Sequence, residues 1–317
     1  MVLRRRHPLA GAPGMKAIKP LFALALLALL IFAFGSADVW TRLRGAQPGW
    51  IAAAVGCLLV QTVMMALRWQ LVARSLGLDF ATGWAVREYF IAQIVNLTMP
   101  GGVVGDGARA VRSKAGEGGL KRATQAVVLE RAAGQIGLLA VTATGVCWTA
   151  VAPDALHWPP GLVRGLALAA LGGVSVAVLA AILLRGGRIA ALIARCLPTP
   201  RVRAAHAALA IGAALLNVIA FAASARAVGV ILSPAAALVL IPLVLTAMVI
   251  PLGIGGWGWR EGAAAALLPV AGATASAGVA SGIVFGIVML ITAAPGLPLL
   301  FWGTDSGVRD TQARTSP

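Results

Sequence analysis

Apolar runs of membrane-crossing length alternate with short basic clusters along nearly the whole chain. At 1.5 Å rise per residue, roughly 20 apolar residues cross a hydrocarbon core of about 30 Å. Runs at 17–36, 50–67, 123–152, 162–184, 204–228 and 276–302 reach or approach that length. Two others differ. The run at 89–99 has basic residues on both flanks (Arg87 before it; Arg109, Arg112 and Lys114 after it) and is too short to cross. The run at 234–250 also stops at a Pro/Gly-rich break. A segment of the first kind must enter and return on the same side. Helix-breaking backbone is tolerated inside a membrane only where protein or a water-filled cavity satisfies its N–H and C=O groups. The breaks therefore predict a cavity.

The two breaks read almost as copies, 151 positions apart: Pro100-Gly-Gly-Val-Val-Gly-Asp-Gly-Ala-Arg109 and Pro251-Leu-Gly-Ile-Gly-Gly-Trp-Gly-Trp-Arg260. Pro100, Gly102, Gly105, Gly107 and Arg109 coincide with Pro251, Gly253, Gly256, Gly258 and Arg260. A second pair, Ala73-Arg-Ser-Leu-Gly77 and Ala225-Arg-Ala-Val-Gly229, matches with one residue of slippage. Each half then holds three crossings and one re-entrant hairpin, and an odd number of crossings inverts the second half. The expected fold is an all-α polytopic membrane protein, with about six full transmembrane helices and two re-entrant broken-helix hairpins in an inverted repeat. Residues 1–14 read as a disordered cytoplasmic extension and 15–302 as one membrane domain, with repeats at about 15–152 and 162–302. Residues 303–317 read as a disordered cytoplasmic tail. The first apolar run resembles a signal peptide, but its counterpart 151 residues later marks it as a retained helix.

Composition agrees. The chain of 317 residues is 60% hydrophobic and 11% charged, with a mean hydropathy of +0.91, whereas soluble domains carry about 25% charged residues. The formal charge of +16 comes from 26 Lys and Arg against 10 Asp and Glu. These cations cluster between apolar runs, the pattern of cytoplasmic loops, and no basic face interleaved with aromatics suggests nucleic acid. The distribution puts both termini in the cytoplasm, with membrane lipids as partners, and the expected location is a bacterial inner membrane. Oligomeric state is not legible.

Acids at membrane depth are rare and costly, so they usually face a cavity or pair. Asp106 and Arg109 lie in the first break, Arg260 and Glu261 in the second. Glu130 and Arg131 lie about 12 Å beyond Arg122 along the 123–152 run. Thr124, Arg131, Gln135 and Thr142 fall on one stripe of that helix. Arg109, Arg131 and Arg260 form a candidate cationic set, because guanidinium is a planar, permanently charged fork suited to phosphate. The alternatives are arginines that snorkel to an interface and a Glu130–Arg131 pair that only fixes packing. Gly278, Gly282 and Gly286, at every fourth residue, read as close helix packing. The GxGxxG of Gly253 to Gly258 has no βαβ context and is not a dinucleotide site. The three histidines and three cysteines have no metal-ligand spacing, and no cofactor, metal or catalytic residue is expected.

The runs Leu97 to Arg109, Ala126-Val-Val-Leu-Glu-Arg131 and Pro251 through Gly262 resemble the membrane region of lysylphosphatidylglycerol synthases and of stand-alone flippase-like membrane proteins. The similarity spans nearly all of 15–302. It implies lipid translocation: in the full synthases this region carries aminoacylated phosphatidylglycerol to the outer leaflet, while a separate soluble domain makes it. About fifteen residues follow Trp302, so synthesis is not expected of this chain. Related stand-alone proteins are associated with hopanoids and polyprenyl-linked sugars, so the cargo stays open. A membrane-embedded transferase with Asp106 or Glu130 as base, and an accessory lipid-binding protein serving a lipid-biosynthesis enzyme, stand as the other readings.

Overall fold

The computed structural model describes residues 36–99, 101–116, 118–151, 187–249, 254–302 and 308–310, with residues 29 and 32. The expected spans at 17–36 and 162–184, the extension at 1–14, and Pro100, Pro251 and Gly253 lie outside this set, apart from Leu29, Phe32 and Ser36 of the first span.

The described chain is helical. In order it comprises α1 (Ser36–Arg44), α2 (Pro48–Ser75), α3 (Thr82–Thr98), α4 (Val104–Arg112), α5 (Gly119–Val151), α6 (Arg188–Cys196), α7 (Pro200–Ala227), α8 (Pro234–Ala247), α9 (Trp259–Leu267), α10 (Ala275–Ala293) and α11 (Gly296–Phe301). A short 3-10 turn, Leu268–Ala271, continues α9. Among the described residues, four stretches are long and apolar enough to cross a membrane: Pro48–Ser75, Gly119–Thr149, Pro200–Ala227 and Ala275–Phe301. Exposed large hydrophobics such as Ile136, Leu139 and Ile219 on these helices would be unfavourable in water and suit lipid.

Helices α2 and α7 are alike in several respects. Each has 28 residues and Pro in its first turn, where a missing N–H costs nothing. Each ends on the same turn: Gly77 N–H donates to the Arg74 carbonyl and Gly229 N–H to the Arg226 carbonyl, both at 3.0 Å. The glycines sit at φ 82° and 85°, a left-handed conformation that a side chain would strain. The two helices pack along each other. Gln47 N–H, just before α2, donates to the carbonyl of Ala227, the last residue of α7, so they run antiparallel.

After α2 the chain turns back through α3 and α4. Helix α3 begins at Thr82, earlier than the apolar run alone suggested, because buried Glu88 is neutralised by Arg87 (2.8 Å) and Arg112 (2.5 Å). Gly101 (φ 90°) and Gly102 (φ 64°) make the reversal. Gly105 and Gly107, expected in the break, instead belong to α4. A Cβ on Gly105 would lie 2.2 Å from the Ala92 carbonyl oxygen, so α4 folds directly against α3. The second reversal, between α8 and α9, uses Gly255 (φ 55°), Gly256 (φ 78°) and Gly258 (φ 85°). At about 25 Å and 21 Å, α3 and α8 fall short of the hydrocarbon thickness.

Small residues set the helix contacts, as is usual where no water drives association. Gly137 faces the Ala210 backbone (α5 to α7), Gly145 faces Leu238 (α5 to α8) and Gly278 faces Ala264 (α10 to α9). One apolar cluster gathers α7, α8, α9 and α10; a second gathers the end of α2 with α3, α4 and the start of α5, around Trp69, Phe80 and Trp84. In the segment expected to be a structureless tail, Arg309 and Asp310 pair antiparallel with Asp79 and Leu78.

Candidate functional site

A cavity of about 830 Å³ opens between the two breaks. Gly101, Gly102, Val103 and Gly107 line it from the first, and Met248, Val249, Gly255 and Gly256 from the second. Its size falls in the range of ligand pockets, and its wall is mostly apolar with a few polar groups, the usual composition of a ligand site. The interrupted helices lie where the sequence predicted a cavity.

Beside it, five charged side chains alternate in sign. Arg68 from α2 donates to Glu130 Oε1 on α5. Glu130 Oε2 accepts from Arg109 at 3.2 Å, and Arg109 also donates to Asp106 Oδ1 at 3.1 Å, Arg109 and Asp106 both lying on α4. Asp106 Oδ2 lies 2.5 Å from Arg131 on α5. Three cations against two anions leave an excess of one positive charge. The outer end of the chain carries the exposure: Glu130 and Arg109 are fully buried, whereas the Arg131 side chain is 45% exposed and lines the cavity. Asn96 steadies Asp106 through its amide (3.2 Å), and its oxygen accepts the Gly105 N–H (2.8 Å), one of the donors that a helix start leaves unpaired.

The placement of the sequence candidates is uneven. Arg131, Asp106 and Gln135 line the cavity with Thr124; Thr142 does not, and its hydroxyl donates to the Leu138 carbonyl. Arg109 does not reach the cavity, its guanidinium lying 4.5 Å from the Trp69 ring and 4.2 Å from the Tyr89 ring. Arg260 is likewise buried and outside the cavity lining. Its Nε donates to Glu261 at 3.0 Å, and the group lies 4.6 Å from the Trp257 ring. Glu261 also accepts the Gly258 N–H at 2.6 Å, capping α9. The Glu130–Arg131 pair, one of the alternatives read from the sequence, is replaced by two different pairings, Glu130 with Arg68 and Arg109 and Arg131 with Asp106.

Sequence reasoning missed Arg68, which stands one residue beyond the apolar run at 50–67. The signal was present: Trp69, Leu71, Val72 and Ala73 continue the apolar pattern past it. It also passed over carboxamides in the apolar runs, of which Gln61, Gln93, Asn96 and Asn217 line the cavity. Among the described residues, no group of three or more His, Cys, Asp or Glu could hold a metal ion.

The family model of the lysylphosphatidylglycerol synthase TM region matches residues 17–296, which include every helix through α10 and the whole cavity wall just described. The chain belongs to this family. It is an all-α, multi-pass membrane protein of a family related to membrane lipid handling. Comparison with curated proteins finds no match. Within the lysylphosphatidylglycerol synthase TM region, the Asp106, Arg109, Glu130 and Arg131 cluster and the second break all fall inside the matched residues.

Proposed function

We propose that this chain is a lipid translocator that carries a phosphate-bearing lipid between leaflets through the cavity between its two breaks. The observation that carries this reading is the cavity itself: both glycine-held reversals line it, and its wall presents Arg131 against a largely apolar surface. A lipid needs that combination, since its phosphate must meet a cation while its chains stay in an apolar medium.

In this reading the protein has about six crossings and two re-entrant hairpins in an inverted repeat, in a bacterial inner membrane with both termini cytoplasmic. The antiparallel, equal-length α2 and α7 with their matching glycine turns support the repeat. Two hairpins approaching from opposite faces would expose the cavity to either leaflet in turn. The chain acts as a carrier and not as a transferase. Asp106 is held by Arg109, Arg131 and Asn96, and Glu130 is buried between Arg68 and Arg109, so neither carboxylate is a free base.

Reconstitution into liposomes containing fluorescently tagged phosphatidylglycerol tests the proposal. With protein present, an impermeant quencher should reach well beyond the outer-leaflet half of the label. A quenched fraction that stays at the protein-free level over a range of protein-to-lipid ratios would overturn it.

A further inference from the structure

We infer that the cavity selects a headgroup that joins a single phosphodiester to neighbouring hydroxyls, as in a glycerol, cyclitol or sugar headgroup, and disfavours a cationic aminoacyl headgroup. The inference deepens the translocator reading and rests on it for the word cargo. The binding preference stands on the side chains alone.

Charge comes first. Among the described residues, Asp106 and Arg131 are the only charged side chains in the cavity wall. Asp106 has Arg131 at 2.5 Å, Arg109 at 3.1 Å and the Asn96 amide at 3.2 Å, so its oxygens are already engaged. No carboxylate in this wall is open to a ligand ammonium. An aminoacyl group would bring its positive charge towards Arg131 without a counter-charge, and like charges at close range are costly where water is scarce. One excess cation in the five-residue chain matches one phosphodiester and not a diphosphate.

The second observation is the carboxamides. Gln61 on α2, Gln135 on α5 and Asn217 on α7 line the same cavity, and none has a hydrogen-bond partner among the described residues. Gln93 and Asn96 are different, being held by Thr62 and by Asp106 with Gly105. Polar side chains in the middle of apolar helices are expensive unless they face a cavity and serve a ligand or water. A carboxamide offers an acceptor oxygen beside two N–H donors. That pairing suits a hydroxyl, which both donates and accepts, and neighbouring hydroxyls can engage both atoms of one amide. A site built to hydrogen-bond hydroxyls discriminates strongly against a ligand lacking them, because its polar groups are then left unpaired.

The test uses purified full-length protein with four lipids of matched chains: phosphatidylglycerol, phosphatidylinositol, phosphatidylethanol and lysylphosphatidylglycerol. Phosphatidylethanol keeps the phosphodiester but lacks the hydroxyls. Binding is read by native mass spectrometry and translocation by the liposome assay. Phosphatidylglycerol or phosphatidylinositol should bind about tenfold or more tightly than either of the others, and which of the two leads distinguishes a glycerol from a cyclitol source. In Gln61→Leu and Asn217→Leu, changes that suit an apolar helix, the preference over phosphatidylethanol should fall towards one. Equal binding of phosphatidylethanol, or tighter binding of the lysyl lipid, would overturn the inference even if lipids are moved. The hydroxyl preference in binding without translocation of any lipid would uphold the site and overturn the translocator reading.

Discussion

Each half of this membrane protein buries one arginine just after a glycine-rich reversal, and the two halves neutralise it differently. In the first half Arg109 is tied across helices, to Glu130 on α5, which also holds Arg68 from α2. In the second, Arg260 is met by its own neighbour Glu261 on α9, and the charge is closed within one helix. The position 152 beyond Glu130 is Gly282, whose hydrogen side chain leaves space for Glu261: a Cβ there would lie 3.1 Å from the Glu261 Cα. The first arrangement staples three helices and leaves Arg131 facing the cavity; the second leaves its wall uncharged among the described residues. Arg109 and Arg260 are thus held as buried, paired groups, and among the described residues Arg131 is the cation that the cavity wall presents.

This comparison can be broken most sharply at the carboxylates. Glu130→Ala leaves buried Arg68 without a counter-charge and Arg109 with Asp106 alone, and should cost about 3–5 kcal/mol. Glu261→Ala strands one arginine and an N–H at the start of α9, and should cost less, about 2–3 kcal/mol. Unfolding by SDS titration in mixed micelles gives both values. Equal losses would mean that the staple across three helices adds nothing to the local pair.

Glycines sharpen the comparison next. Gly286 and Gly134 lie 152 apart, like Gly77 and Gly229, and each makes room for a buried guanidinium. A Cβ on Gly286 would come to 2.1 Å from Arg260 Nη2 and 2.7 Å from the Trp257 ring, while one on Gly134 would lie 3.1 Å from Arg68 Nη2. Gly286→Ala should therefore cost about 1–3 kcal/mol, as overpacking does, and Gly134→Ala clearly less. The same titration reads both. The opposite order would show that Arg260 has more freedom than its packing suggests.

Much of the fold was legible because the bilayer allows few solutions. Length and apolarity marked α2, α5, α7 and α10, and the paired breaks with their nearby glycines marked both reversals. What escaped was set by pairing, which no run of hydropathy contains. Arg68 escaped because it follows the end of the 50–67 run, as a loop arginine would; only Glu130, 62 residues later, makes it a core residue. Arg109 and Arg260 looked like headgroup ligands because guanidinium suits phosphate, but the same group suits a carboxylate and an aromatic face. Arg131 lines the cavity with Thr124 and Gln135 of its helical stripe, while Thr142 of the same stripe does not.

The smallest effect expected concerns the contact of α1 with α10. The Asp38 carboxyl lies below the usual carboxylate range, chiefly because the Ser276 hydroxyl donates to it and also because Arg42 donates at 2.9 Å. A depressed pKa contributes stability at neutral pH that is lost as pH falls through it. Acidification from pH 6 to about pH 3 should thus lower the melting temperature slightly more in wild type than in Asp38→Asn. Identical pH profiles would show that this contact carries no linkage.

The account rests most heavily on Arg131 as the group that meets the lipid phosphate. Initial rates of phosphatidylglycerol translocation in liposomes, compared among wild type, Arg131→Lys and Arg131→Ala, test it directly. The charge retained in lysine should keep part of the rate, while alanine should lose tenfold or more with its SDS-titration midpoint lowered only modestly, since Asp106 keeps Arg109 and Asn96. Wild-type rates in a well-folded Arg131→Ala protein would contradict the central claim.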